Sequence, residues 1–198
     1  MTIRQVFYFR PLLWLLLAVP AALIAIGYAR GDLFYGKIIH ITGDTSVRLL
    51  IITLAASPAM LLFPRAAWAV WLIRHRREFG VASFAYALLH TLVYVGRKAD
   101  FSLIVSEGQR PGLLTGWVSL ALMLILAVTS NDISVRLLRA AWKRLHWLVY
   151  PAAALTLAHW LLEAFDLVPA LVHGGVIVVL VAARFVLARR RRSSRMAS

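Results

Sequence analysis

Apolar residues in this chain gather into six long runs, separated by short stretches that carry most of the arginine. A helix needs about 20 mostly apolar residues to cross roughly 30 Å of hydrocarbon. Runs of that order fall at 11–28, 47–63, 79–95, 113–129, 147–165 and 168–187. They are continuous rather than alternating, which excludes the strands of a barrel. Backbone polar groups in lipid must also pair within their own segment. The pattern therefore predicts an all-α integral membrane protein, a six-helix transmembrane bundle over 11–188 with tails at 1–10 and 189–198. Pro58 is expected to kink the far half of the second span. Arg4 and Arg10 give the first run the look of a secretory leader, but no small-residue cleavage site follows, and its length suits a span.

Composition agrees with this picture and narrows the chemistry. Of the 198 residues, 62% are hydrophobic and 15% charged, outside the range of ordinary soluble domains. Cysteine is absent, so thiolate zinc sites, iron–sulfur clusters and thiol nucleophiles are excluded. A formal charge of +14 would suggest nucleic acid in a soluble protein. Here the basic residues flank apolar runs, so the expected partner is the lipid bilayer and no nucleic acid. The arginines at 189–192 read as an anchor at anionic lipid. Fifteen of the 22 basic residues lie in the two tails and the second and fourth connections, against six on the other side. By the positive-inside rule both termini are cytoplasmic.

No connection is long enough for a soluble domain; the longest are 29–46 and 96–112. Chemistry must therefore use groups within the bundle. Ionisable residues inside spans are costly and mark function. No aspartate or glutamate falls mid-span on these boundaries, since Glu78, Glu163 and Asp166 lie at ends. That weakens a proton-coupled transporter. Histidine remains. His90 and His159 fall inside the third and fifth spans, both in the outer half, so their rings can meet at one depth. A lone membrane histidine often serves only to bond a neighbouring helix. Two imidazoles on separate helices at one depth favour bis-histidine ligation of haem iron.

The other histidines read more simply. His146 begins the fifth span, roughly 20 Å below His159, and spacing alone makes it a headgroup-level residue. His40, His75 and His173 read as loop or interfacial residues. Arg76 and Arg77 read first as topology-setting charges, with haem propionates as the alternative partner. On an ideal helix His146 and His159 would stand about 140° apart, which does not suit two haems stacked on one face.

Several of these residues carry a family resemblance. The run Thr129-Ser130-Asn131, Arg136-Leu137 and Trp142-Lys143-Arg144-Leu145-His146-Trp147-Leu148-Val149-Tyr150 resembles the signature of the MsrQ family. Arg76-Arg77-Glu78-Phe79-Gly80 leading to Leu89-His90 also fits, as does Ala158-His159; Thr42-Gly43 and Ser57-Pro58 agree more loosely. The resemblance implies a ferric-reductase-like membrane fold binding one or two b-type haems, with His90, His146 and His159 as the matching histidines. It implies FMN as a further candidate cofactor, without residues assigned to it. Electrons would come from quinol or a cytoplasmic flavin reductase. They would cross the bacterial inner membrane to a periplasmic molybdopterin reductase subunit, MsrP, that repairs oxidised methionine. Related ferric reductases carry a second histidine on the third helix where this chain has Arg76, with His75 beside it, so an inner haem needs His146 plus His75 or an unusual ligand. Leu138 stands where the family often has glycine. The chain shows no FAD or NADPH domain and is expected to be an electron-transfer subunit rather than a complete ferric reductase. A cytochrome b serving ferric iron or another periplasmic oxidoreductase, and a non-redox transporter with packing histidines, stay open as alternatives.

Overall fold

A computed structural model describes residues 10–98 and 100–196. Six helices are long and apolar enough to cross a membrane. Among the described residues they are α1 (Arg10–Ala29), α2 (Tyr35–Leu62), α4 (Arg76–Lys98), α6 (Pro111–Val128), the segment Ala140–Glu163 made of α8 (Ala140–Leu145) and α9 (Val149–Glu163), and α10 (Leu167–Met196, its crossing part Leu167–Arg191). Three short helices lie between them: α3 (Ala67–Arg74), α5 (Phe101–Gly108) and α7 (Asp132–Leu138). Arg4 lies outside the described residues. We call the end that carries Arg10, Leu62, Arg76, Val128 and Arg191 proximal, and the opposite end distal.

Large apolar side chains on the outer surface, such as Leu15, Leu23, Val178 and Val179, are left exposed, as lipid-facing residues should be. The interior is held by small and hydroxylated residues, because lipid gives no hydrophobic drive between helices and close backbone approach must supply the contact. On α2 and α4, Ser46 Oγ donates to the Ser83 carbonyl at 2.9 Å and Ser83 Oγ donates to the Ser46 carbonyl at 2.8 Å. On α6 and α9, Ser119 Oγ donates to the Ala152 carbonyl at 2.9 Å. α10 closes the group through Ile177, which packs with Val47, Leu50, Leu54 and Ala153.

Helix α1 sits at the edge, with a tie of its own. Pro20 lies inside it and cannot continue the backbone ladder. The Tyr86 hydroxyl enters at that turn, donating to the Leu17 carbonyl at 2.7 Å and accepting from Ala21 N–H at 3.0 Å. It bridges two groups that would otherwise bond each other.

Several expectations are corrected here. The 29–46 connection is mostly helix: α2 starts at Tyr35, and a short turn at 30–34 suffices, with Gly31 at φ 76°. The polar residues that hid this start have partners in the helix. Thr42 Oγ1 donates to the Ile38 carbonyl at 2.9 Å, and Thr45 Oγ1 to the Ile41 carbonyl at 2.7 Å. His40 and Asp44 are therefore the sixth and tenth residues of α2, against the expectation that both lie in a connection outside the span. The 96–112 connection likewise contains α5, capped by the Asp100 carboxylate on Ser102 N–H at 2.8 Å. Helix five is not ideal either. Residues His146–Leu148 form a 3₁₀ turn just before Pro151. At about 120° per residue this turn cuts the expected 140° offset between His146 and His159 to roughly 80°.

Candidate functional site

Two groups of functional side chains lie one above the other among α2, α4, α6 and α9. In the distal one, His90 from α4 and His159 from α9 face each other, ring centres 6.2 Å apart and planes at 86°. His90 Nδ1 lies 2.9 Å from the Ile39 carbonyl of α2, and His159 Nδ1 lies 2.8 Å from the Gly112 carbonyl of α6. A carbonyl can only accept, so each Nδ1 carries the proton and each Nε2 keeps its lone pair. A backbone carbonyl on the far nitrogen is the usual second partner of a metal-bound imidazole.

Two glycines make room for these rings. A β-carbon at Gly43 would stand 3.1 Å from His90 Nδ1, and one at Gly116 only 2.8 Å from His159 Nδ1. Gly112 and Gly116 form a glycine pair four apart, which lets α9 approach α6 closely. Sequence reading quoted Gly43 only within the Thr42-Gly43 match and did not single out Gly112 or Gly116, although the 112/116 spacing was there to find.

The pair fits an iron porphyrin. Two imidazoles sharing one metal would have centres roughly 6 Å apart, about 2 Å per metal–nitrogen bond and about 1 Å from nitrogen to ring centre. Among the described residues no group of three or more His, Asp or Glu side chains is placed to hold a bare metal ion. Two axial nitrogens suit an iron whose equatorial positions a porphyrin already fills.

The proximal compartment is a cavity of about 300 Å³, its wall including Arg76, Lys143, His146, Tyr150 and Arg184. His146 is stacked on Trp142, ring centres 3.8 Å apart, and its Nδ1 lies 3.1 Å from the Trp142 carbonyl. Its Nε2 faces the Ser130 hydroxyl at 3.3 Å. That hydroxyl also reaches the Leu126 carbonyl at 2.6 Å, so it can turn away and free Nε2. Trp142 Nε1 in turn donates to the Thr129 carbonyl at 2.8 Å, and the Asn131 side chain caps α7 at Ser134 N–H at 2.8 Å. The 129–147 motif is thus one connected unit that fixes His146 at the cavity edge.

The predicted residues do not all converge. Arg76 lines the cavity with His146, whereas His75 is buried against Trp71, ring centres 4.8 Å apart, and faces Glu78 at 3.8 Å. His75 is not part of the cavity wall, so no second imidazole stands opposite His146 there. Arg77 lines the cavity as well, and its guanidinium pairs with Asp132 at 2.7 Å, tethering α7 to the start of α4. The Arg77 hydrogen bond and charge hold the Asp132 carboxyl below its ordinary range. Arg184 of α10 was left aside in the sequence reading because it fell at a span end, yet it reaches the cavity.

Comparison with known proteins follows the same outline. A family model described as "Ferric reductase like transmembrane component" matches residues 42–157. The chain is 39% identical to a Caulobacter vibrioides protein named "Protein-methionine-sulfoxide reductase heme-binding subunit MsrQ", over 92% of this chain and 89% of that one. Proteins of the same name from Brucella ovis and Brucella melitensis are 37% identical, over 63% of this chain and 56% of theirs.

Proposed function

The chain belongs to the ferric-reductase-like transmembrane family and, within it, to the MsrQ group, and from that membership we propose that it works as a b-type cytochrome of a methionine sulfoxide reductase system. In this reading it carries electrons from quinol or a cytoplasmic flavin reductase across the bacterial inner membrane. The acceptor is a periplasmic molybdopterin subunit that reduces methionine sulfoxide in oxidised proteins. The proximal end is cytoplasmic, in line with the excess of basic residues on that side.

One observation carries the proposal: two imidazoles from different helices, 6.2 Å apart, each with Nδ1 committed to a backbone carbonyl. His90 and His159 hold the iron through Nε2. The Ile39 and Gly112 carbonyls fix the tautomers and ring orientation and raise ligand basicity. Gly43 and Gly116 let both rings sit against backbone. A bound b-type haem supplies reversible one-electron storage, which no side chain of this cysteine-free chain offers. In the proximal cavity, Arg76, Lys143 and Arg184 present positive charge to an anionic planar group. A second haem with His146 as one ligand, or FMN through its phosphate, fits that chemistry.

The test is electron delivery. Haem-loaded protein in nanodiscs, reduced and freed of excess reductant, should be reoxidised when the periplasmic subunit and a methionine sulfoxide substrate are added together. The sulfoxide alone should have no effect. Reoxidation by ferric citrate but not by that pair would contradict the assigned acceptor.

A further inference from the structure

The second span, expected to begin at residue 47, begins at Tyr35, and its first half carries a charged cluster beside the distal histidines. Asp44 Oδ2 lies 2.6 Å from the Arg48 guanidinium one turn along α2, and Asp44 Oδ1 lies 3.9 Å from His173 Nε2 on α10. Arg48 stands at the midpoint of the 28-residue α2, yet 64% of its side chain is exposed, so it opens toward lipid. Asp44 and His173 are each about one-fifth exposed beside it. Charged groups at such depth are costly and seldom serve packing alone.

The protonation pattern leaves a gap for a donor. His173 Nδ1 lies 2.7 Å from the Pro169 carbonyl and so carries the ring proton, which leaves Nε2 an acceptor. It faces a carboxylate oxygen, also an acceptor, at 3.9 Å, beyond hydrogen-bond range. Each of these two acceptors is therefore left open to a donor of its own. The neighbours connect this gap to the histidine pair from both sides. Asp44 follows Gly43, which lies against His90. Trp160 follows His159, and its ring centre is 5.1 Å from that of His173.

We propose that Asp44, His173 and Arg48 form the headgroup site of a lipid-soluble hydroquinone, entered sideways from the bilayer between α2 and α10. This rests on the quinol donor reading above and assigns it a place in the distal half of the bundle. A ligand reaching a site within the spans through hydrocarbon must be lipid-soluble. One meeting a carboxylate, an imidazole and a guanidinium should offer hydroxyl donors when reduced and a carbonyl acceptor when oxidised. Oxidation breaks two O–H bonds. Both protons pass to Asp44 and to His173 Nε2, and on to the distal water phase. The two electrons would leave one at a time through the haem that His90 and His159 would hold, with methionine sulfoxide as the final oxidant, and a quinone leaves.

Haem-loaded protein in nanodiscs tests this with two readouts. A photoreactive azidoquinone should label peptides containing Asp44 and His173, and stopped-flow absorbance should follow haem reduction by a short-chain ubiquinol. Asp44→Asn and His173→Gln should each cut labelling and quinol-driven reduction at least tenfold, while the haem spectrum and dithionite reduction stay unchanged. Labelling confined to the proximal cavity, or variants that match the parent rate, would overturn the site while the quinol reading stands. Parent protein that dithionite reduces but ubiquinol does not would overturn both. Arg48→Gln, on the exposed rim, covers the case where the Asp44 variant fails to fold, with the same loss expected.

Discussion

At the scale of single residues, the histidines were legible and the glycines that seat them were not. His90 and His159 stand out as costly polar groups in apolar runs, and matching their depths needed only helix geometry. Gly43 and Gly116 announce themselves only by lacking a side chain, and what they touch belongs to other helices. Gly116→Ala should displace the His159 ring, since a β-carbon 2.8 Å from Nδ1 meets a ring already held by the Gly112 carbonyl. The haem-to-protein ratio of the purified variant is expected to fall several-fold. Gly43→Ala, with its nearest approach at 3.1 Å, should fall less. A Gly116→Ala protein with full haem content would show that the ring has room to move. Tyr86 makes a separate case. Tyr86→Phe leaves Leu17 C=O and Ala21 N–H beside Pro20 without their bridge and should cost about 1–3 kcal/mol of stability in a denaturation series.

At the scale of elements, the six spans were readable because apolar continuity survives any packing arrangement, but their edges were not. The start of α2 reads as loop because Lys37, His40, Thr42, Asp44, Thr45 and Ser46 break the apolar run. Thr42 and Ser46 are buried against neighbouring helices, and Thr45 bonds its own helix, so none of these three hydroxyls needs water. Charge and hydroxyl content signal exposure in a soluble protein, whereas in lipid they also mark the interior. Between α7 and α8, Arg139 holds φ 49° and ψ −118°, backbone that glycine adopts without strain. The glycine-for-Leu138 departure noted in the sequence lies one residue before it. Arg139→Gly should relieve about 1 kcal/mol or more, seen as a higher melting temperature; an unchanged or lower one would contradict the strain.

The α7 tether carries a pH signature. The Asp132 carboxyl is held below its ordinary range by Arg77, so its contribution is complete above the unfolded carboxylate pKa and is lost as pH falls through the lowered value. Hydrogen exchange of 132–138, corrected for intrinsic rate, should stay constant from neutral pH to about 5 and rise only in stronger acid. Asp132→Asn should show the raised exchange at neutral pH as well.

At the scale of the whole molecule, four helices frame two groups of functional side chains. The distal group is the histidine pair, and the proximal one comprises arginine, lysine and His146. Sequence reading paired the two histidines whose rings meet in the distal half. It reached the proximal one only in part, because Arg184 arrives from α10 and His75 turns away, and no periodicity argument contains such tertiary choices. The central claim is haem held between α4 and α9. Its most direct test is low-temperature electron paramagnetic resonance with visible absorbance of the purified parent, His90→Ala and His159→Ala proteins. Low-spin ferric signals and sharp reduced bands are expected in the parent, and each variant should lose the same low-spin component while keeping its helix content. A parent that stays colourless when expressed with ample haem, or variants that keep every low-spin signal, would contradict the claim.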